Sequence, residues 1–231
     1  MIMKRLVVLS GAGISAESGL KTFRGSDGLW EGHNIMDVAS PIGFKRNPEL
    51  VLKFYNERRA QARLAQPNAG HLALAELQDS FEVIIITQNV DDLHEKAGSA
   101  AVLHLHGELN KVRSITDPSY IVKTDGDIHL GDKAPDGGQL RPHIVWFGEE
   151  VPQIVPASKI MSGADIVAVI GTSLVVYPAA GLLEFAPEFA PIFVIDPHKP
   201  EIPNSNRVFF IQEPGSTGVP RLAQILKEQF L

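Results

Sequence analysis

The side chains able to do chemistry cluster where apolar runs stop. In "LVVLSGAGIS" the run ends in Ser10, Gly11, Ala12, Gly13, Ile14 and Ser15, and in "FEVIIITQNVD" it ends in Gln88, Asn89, Val90 and Asp91. "DIVAVIGTS" ends in Gly171, Thr172 and Ser173, "PIFVIDP" in Asp196, and "AVLHLHGE" in His106. Gly11, Gly13 and Ala16 fit the G-x-G-x-x-G/A turn, in which glycines let the backbone approach a pyrophosphate and N–H groups at the next helix start favour the anion. Taken alone, such a turn merely joins a strand to a helix roughly twice as often as it holds a nucleotide. Several at one sheet edge favour the nucleotide. A dehydrogenase would add an acid about twenty residues on, at a strand end. That distance falls in "GSDGLWEGHN", which has Asp27 and Glu31 but no strand before either. His106 lies at a strand exit beside Gly107, where a ligand can reach it, and the ordinary imidazole pKa near about 6.5 suits a general base. His104, two residues earlier, is expected on the opposite face in a structural role.

These clusters need elements to hold them. The apolar runs are β-branched-rich and nearly continuous, as in strands covered on both faces, and helix-like segments separate most of them. The fold class is α/β: a Rossmann-like, doubly wound parallel sheet whose ligands sit at the carboxyl ends of the strands. Two insertions, 31–80 and 110–140, build a small domain, leaving 1–30, 81–109 and 141–231 for the nucleotide-binding domain. The first insertion is helical. Asn47 caps a helix with Pro48 at its first position, Gln66-Pro67 ends it, and a second helix follows through "AGHLALAELQD". The second insertion is polar, and "YIVKTDGDIHL" predicts a hairpin turning at Asp125-Gly126.

Composition excludes several functions. The chain has 231 residues, 44% of them hydrophobic and 21% charged, which suits an ordinary globular protein. A net charge of −6 gives no overall field for nucleic acid or anionic lipid. No apolar stretch reaches the length of a membrane helix, and the first run breaks at Ser10-Gly11, too early for a secretory signal. The expected home is the cytoplasm, with neither nucleic acid nor membrane as partner. Cysteine is absent, which removes disulfides, thiolate zinc ligands and a thiol nucleophile. None of the eight histidines forms an H-x-x-x-H pair, so no metal site is expected.

"GAGISAESGLKTFRG", "TQNVDDLHEKAG", "LHLHGEL", "RPHIVWFGE" and "GTSLVVYPAAG" together resemble the sirtuins, NAD-dependent protein lysine deacylases. The motifs run in family order along nearly the whole chain. The resemblance implies NAD as cofactor and acylated lysine side chains of proteins or peptides as partners. It implies that the acyl oxygen attacks the nicotinamide ribose, nicotinamide leaves, and the acyl group ends on ADP-ribose. His106 would be the general base, Asn89 would order ribose and water, and Asp91 would contact the nicotinamide amide. Gly11, Ala12, Gly13, Ile14, Ser15, Thr22, Phe23, Arg24 and Trp30 match the stretch that embraces the cofactor. Gln88, Val90, Gly171, Thr172, Ser173 and Gly215 complete that set, with Asp196 standing where many sirtuins have Asn. Val145, Trp146, Phe147, Gly148 and Glu149, with Val175, Val176 and Tyr177, match loops that take a substrate peptide as an added strand.

One further departure and one match sharpen the expectation. Most sirtuins hold a structural zinc in the second insertion with four cysteines; this chain has none. Tyr55 and Arg58 share a helical stripe with Val51 and Ala62. On the helix alone Arg58 snorkels to water, but "FYNERR" matches the sirtuins that prefer acidic acyl groups, which implies succinyl- or malonyl-lysine as substrate beside acetyl-lysine. An ADP-ribosyltransferase or NAD glycohydrolase, or a non-catalytic NAD sensor, remains open at this point.

Overall fold

The computed structural model describes residues 3–21, 29–200 and 206–231. β1 (Arg5–Ser10) precedes the short pair β2 (Leu29–Trp30) and β3 (His33–Asn34), then helices α1 (Ile35–Val38), α2 (Pro41–Arg46), α3 (Pro48–Leu64) and α4 (Ala69–Glu76). β4 (Glu82–Thr87), α5 (Leu93–Lys96) and β5 (Val102–His104) follow. β6 (Gly107–Ser114), β7 (Ile121–Lys123) and β8 (Leu140–Ile144) make a separate antiparallel sheet. The chain returns through α6 (Ile154–Ser162), β9 (Ile166–Ile170), β10 (Ile192–Ile195), β11 (Val208–Ile211) and α7 (Gly215–Phe230).

The main sheet is parallel throughout, in the order β11-β10-β9-β1-β4-β5. From β1 the chain winds outward through β4 and β5, then resumes at β9 on the other side and winds away. The junction of β1 and β9 is therefore the switch point, where such sheets open a crevice. Continuous apolar runs are explained by two-sided burial. Leu6 and Val8 pack with Leu74, Leu222 and Leu226 on one face. Val7 and Leu9 pack with Ala157, Met161 and Leu182 on the other.

The helical insertion forms as its caps require. Asn47 Oδ1 accepts the Leu50 N–H at 3.1 Å, and Pro48 opens α3 where a missing N–H costs nothing. The inward side of α3 places Val51, Phe54, Tyr55 and Ala62 in a core shared with Leu109, Ile144 and Trp146.

The hairpin expected at Asp125-Gly126 does not form. β7 pairs with β6, Lys111 opposite Lys123 and Arg113 opposite Ile121. The "DIHL" half is instead held by α3: Asn56 Nδ2 donates to Ile128 O at 2.9 Å, and Ile128 N–H donates to Asn56 Oδ1 at 3.0 Å. One buried amide thus satisfies both backbone groups a second strand would have used. Ile128 is buried with Leu52 and Val112.

Nor does this insertion fit the zinc that the resemblance implies. Ser114 Oγ and Thr116 Oγ1 both donate to the Asp136 carboxylate, and Gly138 N–H donates to it at 3.0 Å. Hydroxyl donors around one carboxylate tie the two ends of the insertion without the thiolates or imidazoles of a structural zinc site. The hydroxyl bonds from Thr116 and Ser114 hold the Asp136 pKa below the usual carboxylate range. The tie is therefore present above the ordinary value and is lost as pH falls through the depressed one. Asp136→Ala should speed limited proteolysis within residues 115–139, whereas a chelator should change neither cleavage nor activity. Chelator-sensitive cleavage of the unaltered protein would contradict this account.

Candidate active site

Gly11 and Gly13 lie against Gly171, so the turns after β1 and β9 interlock. A Cβ on Gly13 would lie 2.5 Å from Gly171 Cα, and one on Gly171 would lie 2.4 Å from Ile14 N. Gly171 also has a φ of +61°, which favours glycine. Gly11 N–H donates to Ile170 O at 2.9 Å and Gly13 N–H to Gly171 O at 2.8 Å. These glycines therefore join two strand ends at the switch point, and their N–H groups are spent on that junction. Gly215 extends it, since a Cβ there would meet Ile14 Cα at 3.2 Å. Half-buried Asn68 braces the same turn, donating to Ile14 O at 2.7 Å and to Ser18 Oγ at 3.0 Å.

A chain of polar groups links this turn to the loop after β4. Asn89 Nδ2 donates to Ser15 Oγ at 3.1 Å, and Gln88 Nε2 donates to Thr172 Oγ1 at 3.0 Å. Asn89 N–H donates to Thr87 Oγ1, which also accepts the Ser10 hydroxyl. Because Ser10 donates to Thr87, it must accept from His94 Nε2 at 2.9 Å. Likewise His71 Nδ1 accepts the Asn68 N–H, which places its proton on Nε2, facing Ser15 Oγ. Both rings are buried and neutral, because desolvation lowers the His71 pKa to about 4 and the His94 pKa to about 3. Asp91 is also buried. Desolvation raises its pKa against the Leu93 N–H and the Ser15 hydroxyl.

His106 stands beside this loop. Its Nδ1 lies 3.0 Å from Gln88 O, an acceptor, so Nδ1 carries the proton and Nε2 keeps its lone pair. Burial lowers its pKa, with the Gln88 bond opposing, which leaves the ring neutral at pH 7. That is the state a general base requires. The expectation for His104 is corrected: it does not face away. Its Nδ1 lies 3.0 Å from Asn89 O, beside the His106 contact, because residues two apart on an extended chain share a side.

The substrate-side residues fall in two groups. Val145 N–H donates to the main-chain carbonyl of His106 at 2.9 Å, tying the "HIVWFGE" segment to the backbone that carries the imidazole, and Phe147 N–H donates to Ala39 O. The Glu149 carboxylate is fully engaged. It accepts from Arg141, from Arg113 and from Trp146 N–H, and Arg141 stacks on Trp146 at 3.2 Å. Burial would raise its pKa, but these donors outweigh it and lower it. Glu149 thus shapes the turn containing Gly148, whose φ is +88°. On the other loop Val175 and Tyr177 are 71% and 74% exposed, Val176 is half-buried, and Ser173 is exposed.

Tyr55 is fully buried and its hydroxyl accepts from Trp146 Nε1 at 3.0 Å; burial pushes its pKa up. Trp30 packs edge-on against Phe54 and Tyr55 in this module. Arg58 does not snorkel. It is 9% exposed, stacks on the Phe54 ring at 3.5 Å, donates to Phe54 O at 2.6 Å, and keeps a buried Nε–H without a partner. Glu31 and Glu57 oxygens lie 3.8 and 3.4 Å from its terminal nitrogens. Asp196 ends β10 at the same sheet edge and accepts the His198 N–H at 2.9 Å. Thr22, Phe23 and Arg24 lie outside the described residues.

A parallel sheet with two interlocked glycine turns at its switch point, and a buried amide and carboxyl with a half-buried imidazole beside them, defines a Rossmann-like nucleotide site. The family follows from comparison. The Sir2 family model matches residues 11–178. A protein of Helicobacter pylori (strain ATCC 700392 / 26695) named NAD-dependent protein deacylase is 60% identical over 195 residues, covering 84% of this chain and 85% of that one. Its namesake in Bacteroides thetaiotaomicron is 51% identical over 97% of this chain and 98% of its own. A solved complex of a mutant Sir2 homologue with ADP-ribose superposes with a TM-score of 0.89 at 38% identity, covering 98% and 93% of the two chains. The chain belongs to the Sir2 family.

Proposed function

We propose that this enzyme, an NAD-dependent protein deacylase like its relatives, removes succinyl and malonyl groups as well as acetyl groups from lysine side chains, releasing nicotinamide and O-acyl-ADP-ribose. The observation that carries the acyl preference is Arg58: a buried guanidinium with an unused Nε–H, on the same helix face as the Tyr55 hydroxyl. A planar fork of donors suits a carboxylate, and burial makes each such bond count. The residues at the switch point fit the cofactor through the chemistry of their donors: the Asn89 amide, the Ser15 and Thr172 hydroxyls and the exposed backbone at Ser173. When bound, NAD supplies an ADP-ribose acceptor and nicotinamide as leaving group. Neutral His106 takes a proton at Nε2. The Gln88 bond at Nδ1 fixes the tautomer that leaves this atom available. Asn89, tied to Ser15 and Thr87, would order the sugar side, and Asp91 would contact the amide of nicotinamide. Exposed Phe147, Val175 and Tyr177 offer apolar walls to an extended peptide.

Nicotinamide release, followed with acetyl-lysine, succinyl-lysine and unmodified peptides, tests the reading. Release dependent on either acylated peptide, with acyl-ADP-ribose in the mass spectrum, is expected. Release without peptide would mean a glycohydrolase, ADP-ribose on protein would mean a transferase, and no release would mean a sensor.

A further inference from the structure

His104 ends β5, two residues before His106, with both ring nitrogens committed to acceptors. Nδ1 lies 3.0 Å from Asn89 O and Nε2 lies 2.7 Å from Glu95 Oε1. A carbonyl and a carboxylate can only accept, so both nitrogens must carry protons and the ring is an imidazolium. His106 makes the parallel contact to Gln88 O with one proton only. Two imidazoles therefore grip consecutive carbonyls of the loop, one neutral and one charged. We propose that His104, held charged by Glu95, is a positioning residue for deacylation that anchors the Asn89 carbonyl and so presents the Asn89 amide at the sugar side of the site. This rests on the role given to Asn89 under the proposed function.

The surroundings support the charge. Burial alone would lower the His104 pKa, but the bond and charge of Glu95, the Asn89 carbonyl and Glu108 outweigh it and raise it. Asp91 and His94 also face it, and Lys111 pairs with Glu108. Glu95, His104 and Glu108 come close enough to share an ion, yet Glu95 accepts from His104 and Glu108 pairs with Lys111, so protons already join this group. The side chain of His104 is 7% exposed whereas that of Glu95 is 40% exposed, so Glu95 can be altered without opening a core. With a raised pKa, the two-sided anchor is complete below the ordinary imidazole value, and one of its two bonds is lost as pH rises through the elevated one. A neutral ring would have to aim a lone pair at either the carbonyl or the carboxylate. The acid side of the profile belongs to His106, whose pKa is lowered.

The test is the pH profile of kcat for the enzyme and for Glu95→Gln and His104→Ala, alongside ¹⁵N shifts of the His104 ring. His104→Ala is expected to lower kcat about ten- to hundredfold, the usual cost of a small misplacement of a catalytic group, with ADP-ribose affinity little changed. Glu95→Gln should move the alkaline limb and the ring's titration midpoint to lower pH and leave the acid limb in place. Wild-type kcat in His104→Ala, or an unmoved alkaline limb and midpoint in Glu95→Gln, overturns the proposal. Should His104→Ala misfold, Glu95→Gln decides alone. Activity surviving His106→Ala would instead remove the reading of the site itself, which keeps the two failures apart.

Discussion

His106→Ala is expected to lower kcat for every acyl substrate by about a hundredfold to ten-thousandfold, the usual cost of a lost general base. ADP-ribose affinity should stay close to that of the unaltered enzyme. The reason is a division of labour visible in the structure. The imidazole spends Nδ1–H on Gln88 O and holds Nε2 in reserve, while Asn89 is tied to Ser15 and Gln88 to Thr172 without it. Removing the ring therefore deletes a proton acceptor and one backbone anchor but leaves the interlocked turns standing. The pH profile gives a second check. Burial lowers the His106 pKa, so the base is competent above that depressed value and is lost as pH falls through it. The acid limb of kcat should lie below about 6.5, the ordinary imidazole value, and should vanish in the variant's residual rate. Isothermal calorimetry with ADP-ribose and stopped assays with acetyl-lysine peptide make the comparison. Near wild-type turnover would return His106 to a structural role.

Much of this site is legible in the sequence because it rests on local rules. Strands buried on both faces read as unbroken apolar runs, so the polar residues after Ser10, Thr87 and Ile170 fall at one sheet edge as soon as the sheet is taken as parallel. Asn47-Pro48 announces a helix start through two backbone requirements alone. What escapes the sequence is pairing across distance. Asn56 satisfies Ile128 from another element, and no turn propensity at Asp125-Gly126 can reveal that competitor. The glycines of the first turn look like a pyrophosphate cradle, yet they are spaced for contact with Gly171, a residue far along the chain. Glu149 reads as a substrate contact until Arg113 and Arg141 converge on it from two strands. His104 reads as structural until Glu95 and Asn89 are seen on its two nitrogens. In each case the decisive partner is a side chain whose position depends on topology.

Arg58→Met is expected to remove most desuccinylase activity while deacetylation survives. A guanidinium that meets a carboxylate in a buried site contributes about 2–5 kcal/mol when one partner is truncated, equivalent to roughly thirty- to several-thousandfold in kcat/KM. An acetyl group carries no charge and forgoes nothing. Folding should tolerate the change. Methionine keeps the apolar stem that lies over Phe54, and it removes a buried Nε–H that has no partner, so the protein loses an unmet polar group rather than gaining one. Glu31 retains Lys21 Nζ at 2.7 Å. Arg58→Lys separates charge from geometry: an ammonium keeps the charge but cannot offer the planar fork, so desuccinylation should be partly and not fully restored. Tyr55→Phe removes a hydroxyl that already accepts from Trp146 Nε1, which leaves that indole N–H unpaired and should weaken both activities through the shared core. The measurement is kcat/KM on acetyl-, malonyl- and succinyl-lysine peptides of one sequence, with melting temperature as the control for folding. Equal losses on all three substrates would make Arg58 a packing residue bound to Glu31 and Glu57. Absent desuccinylation in the unaltered enzyme would discard the acidic-acyl reading while leaving the deacetylase chemistry of His106 and Asn89 in place.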